Sequence, residues 1–433
     1  MSKIQVFCLS LQMIYVDQVM KIKHFIIENF RAIEHLDIDC ADGINVLIGD
    51  NGAGKSSVLE ALSLLFSWVS ARLNVSNGRG QSIRQEDIRH GAFYCFLSVS
   101  VVYNGRQYSW SFLKTKPGGK RKLTDRQTDL HQIALLVEAM SASSEDVRSL
   151  PIFYGINRNV STIHLSKNFF NEKERPYSNR VFSGWRPFFN WFYERENEEN
   201  RMKARFNPNY HDETLDAVRE CLAEVFPGYT NLRIEDRPRT RLVIDKNGDS
   251  LDFEDLSDGE KSYIALILDI ARRVSMTGSS SQSPLVGEGI VFIDEIDLHL
   301  HPSWQLLVLA NLERIFPACQ FLVTSHSPLV LSGMGTSGRL IILGDGRETA
   351  VSDIPYGDNG DYILKRFFGL KETRNPDVQR EIDAISSELG KNCPNLDFIE
   401  KSLEKLSMQG VQFDEAVKMR LLLAQKKKAY AQD

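Results

Sequence analysis

Gly49-Asp50-Asn51-Gly52-Ala53-Gly54-Lys55-Ser56-Ser57 lies between an apolar run, Ile44-Asn45-Val46-Leu47-Ile48, and an apolar-periodic run with Val58, Leu59, Leu62, Leu65 and Phe66. The order is strand, glycine-rich loop, helix, and the spacing is G-x-x-x-x-G-K-[ST]. Glycines let backbone N–H groups curl around phosphate oxygens where a side chain would clash. A helix starting near Lys55 adds the positive end of its dipole to the same anion site. Asn51, Gly52, Ala53 and Gly54 are expected to wrap the phosphates, with Ser57 in the first helical turn behind them. Lys55 is expected to reach the β- and γ-phosphates, and the Ser56 hydroxyl to ligate Mg2+. The stretch implies a site for a nucleoside triphosphate.

The rest of the chain sets bounds on what that site serves. With 433 residues, 42% hydrophobic and 25% charged, the chain has material for two or three domains and a sizeable core. A formal net charge of −5 excludes a uniformly basic nucleic-acid binder. The six cysteines are scattered without C-x-x-C or zinc spacing, which fits free thiols in a reducing cytoplasm. No apolar run has the length of a membrane span, and Ile4–Val16 has no cleavage site of a signal peptide after it.

Coarse patterning divides the chain into five segments. Residues 1–19 read as an N-terminal extension. Residues 20–123 read as the first lobe: strands over Lys21–Arg31 and Glu34–Asp39, the glycine-rich loop, a helix to about Arg72, and a hairpin. In the hairpin, Phe96–Tyr103 and Arg106–Leu113 flank Asn104-Gly105, a pair suited to a type I′ turn. Residues 124–255 read as a mainly helical insertion. Its helix over Trp185–Arg205 carries Trp185, Phe188, Phe189, Phe192 and Tyr193, an aromatic stripe expected to pack inward. Residues 256–354 read as a second lobe, with a buried strand over Ile290–Ile293, a helix over Pro302–Phe316 and strands over Gln320–Thr324 and Arg339–Leu343. Residues 355–433 read as a helical C-terminal segment, with Leu403, Leu406 and Phe413 forming either a docking face for a partner or a packing face.

Further chemical residues lie in the second lobe. The run Gly289–Glu295 is an apolar strand ending in two acids, the pattern of a Walker B strand. Asp294 is placed for the Mg2+ shell and Glu295 for orienting or deprotonating an attacking water. Leu256-Ser257-Asp258-Gly259-Glu260-Lys261 opens a helix, either as a cap or as a second γ-phosphate contact. His326, after the next strand, reads as a γ-phosphate contact or a structural histidine. His299 and His301 read as structural, since no third soft metal ligand is near.

In this order the motifs resemble those of ABC-type ATPases, within the SMC/RecF/OLD branch. Glu28-Asn29-Phe30-Arg31, Gly49-Asp50-Asn51-Gly52 and Asp258-Gly259-Glu260-Lys261 carry that branch-level likeness over residues 20–345. The implied fold class is α/β: an ABC-type P-loop ATPase head with an antiparallel β lobe, a helical insertion and a C-terminal helical segment. The resemblance implies that Arg31 touches nucleotide and that Gln85 senses Mg2+. It also implies that Ser257, Gly259 and Glu260 of one subunit cap ATP held by another. Glu295 and His326 would be catalytic, ATP and Mg2+ the cofactors, and the oligomer a homodimer or an assembly of dimers.

Trp185–Asn200, Asp294–Pro302 and Tyr356–Leu364 also look like the Septu ATPase subunits and their retron-associated relatives in bacterial anti-phage defence. That likeness implies a cytoplasmic ATPase controlling a separate HNH-type nuclease such as PtuB, with nucleic acid reached through that partner. The chain has no Glu-Gly-x-x-Glu and no later Asp-x-Asp, so no nuclease site of its own is expected. A RecF-like repair ATPase that binds DNA directly is the alternative. A transporter energy subunit and an ATP-gated scaffold are more distant ones.

Overall fold

The computed structural model describes residues 19–75, 77–117, 130–142, 150–156, 180–181, 186–237, 239–276, 285, 287–344, 346–349, 354–391, 393–411 and 414–430. Residues 1–18 of the N-terminal extension, Trp185 and Phe413 fall outside that set. The chain forms two compact units, residues 1–360 and 361–433.

In the larger unit, β1 (Lys21–Phe30), β2 (Ile33–Asp39), β4 (Tyr94–Tyr103) and β5 (Arg106–Thr115) form an antiparallel sheet in the order β2-β1-β4-β5. Asn104 and Gly105 both take positive φ, 51° and 68°, as the two-residue hairpin turn demands. A second sheet carries the glycine-rich loop. It combines β3 (Ile44–Gly49), β6 (Leu150–Tyr154), β7 (Arg180–Val181), β11 (Gly289–Ile293), β12 (Gln320–Thr324), β13 (Arg339–Gly344) and β14 (Arg347–Thr349) in the order β14-β13-β3-β12-β11-β6-β7. Its pairs are parallel except β13–β14. Every residue of β3, β11 and β12 is buried, which explains why these runs are apolar without alternation.

The two sheets are stitched by buried amides. Gln320 accepts from Ile22 N (2.7 Å) and donates to the carbonyls of Ile22 (2.9 Å) and Ala41 (2.7 Å). Asn45 bonds Ala41 in both directions, at 2.8 and 3.0 Å. Between the sheets runs α1 (Lys55–Asn74). Its Phe66 meets Trp110 edge-on and also touches Phe292, while the Trp110 indole donates to Leu65 O.

The expected insertion is corrected by β6. This strand pairs with β11 in register, Phe153 opposite Phe292 and Tyr154 opposite Ile293, so it belongs to the main sheet. Pro151, Ile152 and Tyr154 are buried, as a strand inside a sheet requires, and sheet order is non-local. The same span of sequence holds α2 (Leu130–Ala142), α3 (Arg186–Arg205) and α4 (Glu213–Val225). An antiparallel sheet of β8 (Tyr229–Glu235), β9 (Arg241–Lys246) and β10 (Asp249–Asp252) follows, so the segment carries strands beside its helices. Phe188, Phe189 and Phe192 on α3 are buried, as the inward-packing reading expects.

After α5 (Asp258–Ser275), the helix expected over Pro302–Phe316 divides into α6 (Pro302–Gln305) and α7 (Val308–Ile315). Leu306 and Leu307, at the break, are 40% and 54% exposed. The break brings the Leu306 carbonyl against Gly333, beyond α8 (Pro328–Ser332), where an added Cβ would stand 2.0 Å from the oxygen.

The smaller unit holds α9 (Gly360–Phe367), α10 (Pro376–Leu389), α11 (Leu396–Met408) and α12 (Asp414–Tyr430). Leu403 and Leu406 are buried with Ile382, Ile385, Ile399, Met419 and Leu423. Of the two readings of Leu403 and Leu406, the docking face is overturned and the packing face holds: the apolar stripes of α10, α11 and α12 cover one another. The exposed apolar residues of α12 are Val417, Leu421 and Leu422. No helix among the described residues is long and apolar enough to cross a membrane.

Candidate nucleotide site

β3 delivers its C-terminal end to the loop 49–54. Gly49, Gly52 and Gly54 take positive φ of 149°, 84° and 101°. A Cβ on Gly49 would lie 2.2 Å from Leu343 O, so this glycine is fixed by close approach as well as by conformation. Gly54 caps α1 without a side-chain hydrogen bond, and no acid sits in the first turn. The starts at Asp212, Ser257, Ser327, Asn375 and Asn395 differ, each placing a side-chain oxygen on the following N–H groups, whereas α7 also starts, at Leu307, without a side-chain cap. Only an acceptor from outside the helix would meet the first-turn N–H groups of α1.

Lys55 is buried and curls back over its loop, donating to the carbonyls of Gly49 (2.8 Å) and Asp50 (2.9 Å). Burial pushes its pKa below the ordinary lysine value, against the opposing pull of Asp294, Glu295, Asp50 and Asp297. Those four carboxylates thus share one field with the Lys55 ammonium. Asp294 is buried at the end of β11, with its N–H donating to Tyr154 O at 2.8 Å. Thr324, at the end of β12, donates its hydroxyl to Asp294 Oδ1 at 2.6 Å and accepts Glu295 N at 2.7 Å. Glu295 itself takes φ 48°, a left-handed turn directly after the strand. His326 gives its main-chain N–H to Asp297 Oδ1 at 3.3 Å. Sequence reasoning missed Thr324 and Asp297. The signal was a hydroxyl ending the buried strand beside the acidic one.

Two further sequence assignments look different in three dimensions. Arg31, at φ 51°, bonds Glu60 of α1 at 2.7 Å and Asp87 at 3.1 Å. Its main-chain N–H also donates to Asp87 O at 2.8 Å. The Arg31 guanidinium is thereby a strut between the β1–β2 turn, α1 and the loop that carries Gln85. Gln85 is exposed in a turn closed by Ile88 N to Gln85 O at 3.2 Å.

The start of α5 is a complete capping box. Ser257 Oγ accepts Glu260 N, while Glu260 Oε2 accepts Ser257 N at 2.9 Å. The other carboxylate oxygen accepts Lys246 Nζ at 2.6 Å and the Tyr229 hydroxyl. Burial alone would raise the Glu260 pKa, but Lys246, Tyr229 and Ser257 hold it down at about 2. Its carboxylate is therefore engaged within its own chain, which assigns it a structural position. His301 caps α6 through Nδ1, in keeping with a structural role.

The family model for the RecF/RecN/SMC N-terminal domain matches residues 21–345. The chain belongs to this family. It is 28% identical to the retron Ec83 probable ATPase of Escherichia coli, over 87% of this chain and 80% of that protein. It is 26% identical to the retron Vc95 probable ATPase of Vibrio cholerae, over 79% and 73%. Against the Septu protein PtuA of Bacillus thuringiensis the identity is 23%, over 93% and 94%. The glycine-rich loop and the Asp294–Glu295 strand end lie inside the matched span.

Proposed function

We propose that this RecF/RecN/SMC-family chain binds and hydrolyses ATP at the start of α1 and serves as the ATPase subunit of a bacterial anti-phage defence system. The observation that carries the ATP reading is the helix start at Gly54, which no side chain caps, with Lys55 directly behind it and Asp294 and Glu295 in its field. The P-loop N–H groups would hold the phosphates, and Lys55 would exchange its loop carbonyls for phosphate oxygens. Ser56, half-buried in the first turn, and Asp294, braced by Thr324, fit as Mg2+ ligands. Mg2+ when bound would neutralise phosphate charge. Glu295 would orient or deprotonate the attacking water.

The defence reading is supported by the similarity to the retron ATPases and to Septu PtuA. By that likeness the chain would work as a homodimer or an assembly of dimers, with Ser257 and Gly259 reaching a second subunit's ATP. It would control a separate HNH-type nuclease. Direct DNA binding in the RecF manner is the second reading, against which the formal net charge of −5 argues.

Two variants test the ATP reading. Lys55→Ala should lose ATP binding in a direct assay, because it removes the cation facing the phosphates. Glu295→Gln should keep binding, lose most turnover and accumulate an ATP-bound dimer. Wild-type affinity in Lys55→Ala overturns the site, and turnover within about threefold of wild type in Glu295→Gln removes Glu295 from the chemistry. Capture of a nuclease by the tagged full chain from its native host tests the partnership.

A further inference from the structure

Tyr154, the last residue of β6, is held at both ends. Its carbonyl accepts the main-chain N–H of Asp294 at 2.8 Å. Its hydroxyl donates to Asp269 Oδ2 at 2.9 Å. Asp269 belongs to α5, twelve residues past Ser257, about 18 Å along the helix axis at the α-helical rise.

The Asp269 carboxylate is the centre of a buried ionic knot. It accepts from Arg272 Nε and Arg273 Nε, each at 2.9 Å. Asp269, Arg272 and Arg273 are 7%, 2% and 4% exposed. Burial alone would push the Asp269 carboxyl up, but the two guanidinium groups hold it well below the usual carboxylate range. Burying three charges is a poor route to stability, because desolvation offsets most of the attraction. Such a group does fix geometry, since each bond in it is short, directional and shielded from water. Helix dipole or capping needs do not explain Asp269, which lies in the C-terminal half of α5.

The knot is one of two braces. At the other end of α5, a Cβ added to Gly259 would stand 2.4 Å from His299 O, four residues beyond Glu295. One helix thus touches the segment after β11 at its first turn and the strand beside β11 further along.

We propose that Tyr154 is a positioning residue: its hydroxyl, anchored on Asp269, fixes the backbone of Asp294 and ties the placement of that carboxylate to the α5 start at Ser257. The inference rests on the ATP and Mg2+ reading above and deepens it. Sheet pairing alone would supply the carbonyl contact to Asp294. The hydroxyl is what links that contact to α5. Occupation of the site by Mg2+ and ATP would then be felt at the first turns of α5 in the same chain, where the reading above assigns Ser257 and Gly259 to a second subunit's nucleotide.

The test uses the full chain and Tyr154→Phe, which keeps the ring and the carbonyl and removes the hydroxyl. Circular dichroism and the melting temperature check the fold. ATP binding without divalent metal should match wild type. The Mg2+ concentration that half-maximally tightens ATP binding should rise about tenfold, the scale of losing a group that orients a metal ligand. Hydrogen exchange should show residues 49–57 still protected by Mg2+ and ATP, with the added protection of 257–264 lost. A Mg2+ titration superimposable on wild type, with 257–264 protected as before, overturns the inference and leaves the ATP reading standing. Failure of the wild-type chain to bind ATP overturns both.

Discussion

Gly259 stands so close to His299 that a single added methyl carbon would lie 2.4 Å from the histidine's carbonyl oxygen. His299 is itself left-handed, at φ 65°, so its carbonyl is aimed by a turn that is costly for a residue with a side chain. In an ordinary helix Gly→Ala gains up to about 1 kcal/mol. Here the clash is with backbone, and overpacking costs about 1–3 kcal/mol. Gly259→Ala should therefore lower the melting temperature. A raised melting temperature would show that the two segments do not meet.

Ser257 has a structural task that any test of its role in a second subunit's site must separate out. As the cap of α5 it contributes about 1 kcal/mol, which an apolar or basic replacement forfeits. Ser257→Asn should keep the cap and the melting temperature, whereas Ser257→Arg should lose both. If ATP hydrolysis falls in both variants, Ser257 acts beyond capping. If hydrolysis follows the melting temperature, the cap is its whole contribution.

Acid should loosen the α5 start in a defined window. The Glu260 carboxyl titrates at about 2 in the folded chain, below its ordinary value of 4.5. A depressed carboxylate contributes stability that is present above the unfolded pKa and is lost as pH falls through the folded one. Stability should thus decline between pH 4.5 and about 2. Glu260→Gln should be less stable than wild type at neutral pH and show a shallower decline there, measured by urea unfolding at each pH. Parallel declines would show that Glu260 is not held by Lys246 and Tyr229.

The smaller unit makes a contrasting pair of predictions. Leu403 is 5% exposed and Val417 66% exposed. Placing a carboxylate in the core of three short helices costs several kcal/mol, while the same change on the surface costs less than about 0.5 kcal/mol. Limited proteolysis of Leu403→Asp should cut within residues 376–430 much faster than wild type. Val417→Asp should digest as wild type does. Equal digestion of both variants would mean that Leu403 is not in a core.

The sequence made local features legible and left non-local ones open. The loop 49–54, the Asn104-Gly105 turn and the buried strands β3, β11 and β12 depend on residues adjacent in the chain. The place of β6 depends on pairing Phe153 with Phe292, which no local pattern records. Leu403 and Leu406 carry a clear helical stripe, but a stripe states only that something covers it. Glu260 showed its signature spacing, while its partners Tyr229 and Lys246 come from two other strands. The break at Leu306 follows from contact with Gly333, again distant in sequence.

The position of β3 has a consequence for biosynthesis. This strand, which leads into the glycine-rich loop, pairs with β12 on one side and β13 on the other. Gly49 is made long before either neighbour exists, since β12 starts only at Gln320 and β13 at Arg339. Roughly 270 further residues take about 14–54 s to make at about 5–20 residues per second. Throughout that interval the loop has no sheet to hold it. The unfinished chain therefore has a phosphate-binding sequence but no phosphate-binding site, and a growing subunit cannot draw on ATP before its second lobe is made.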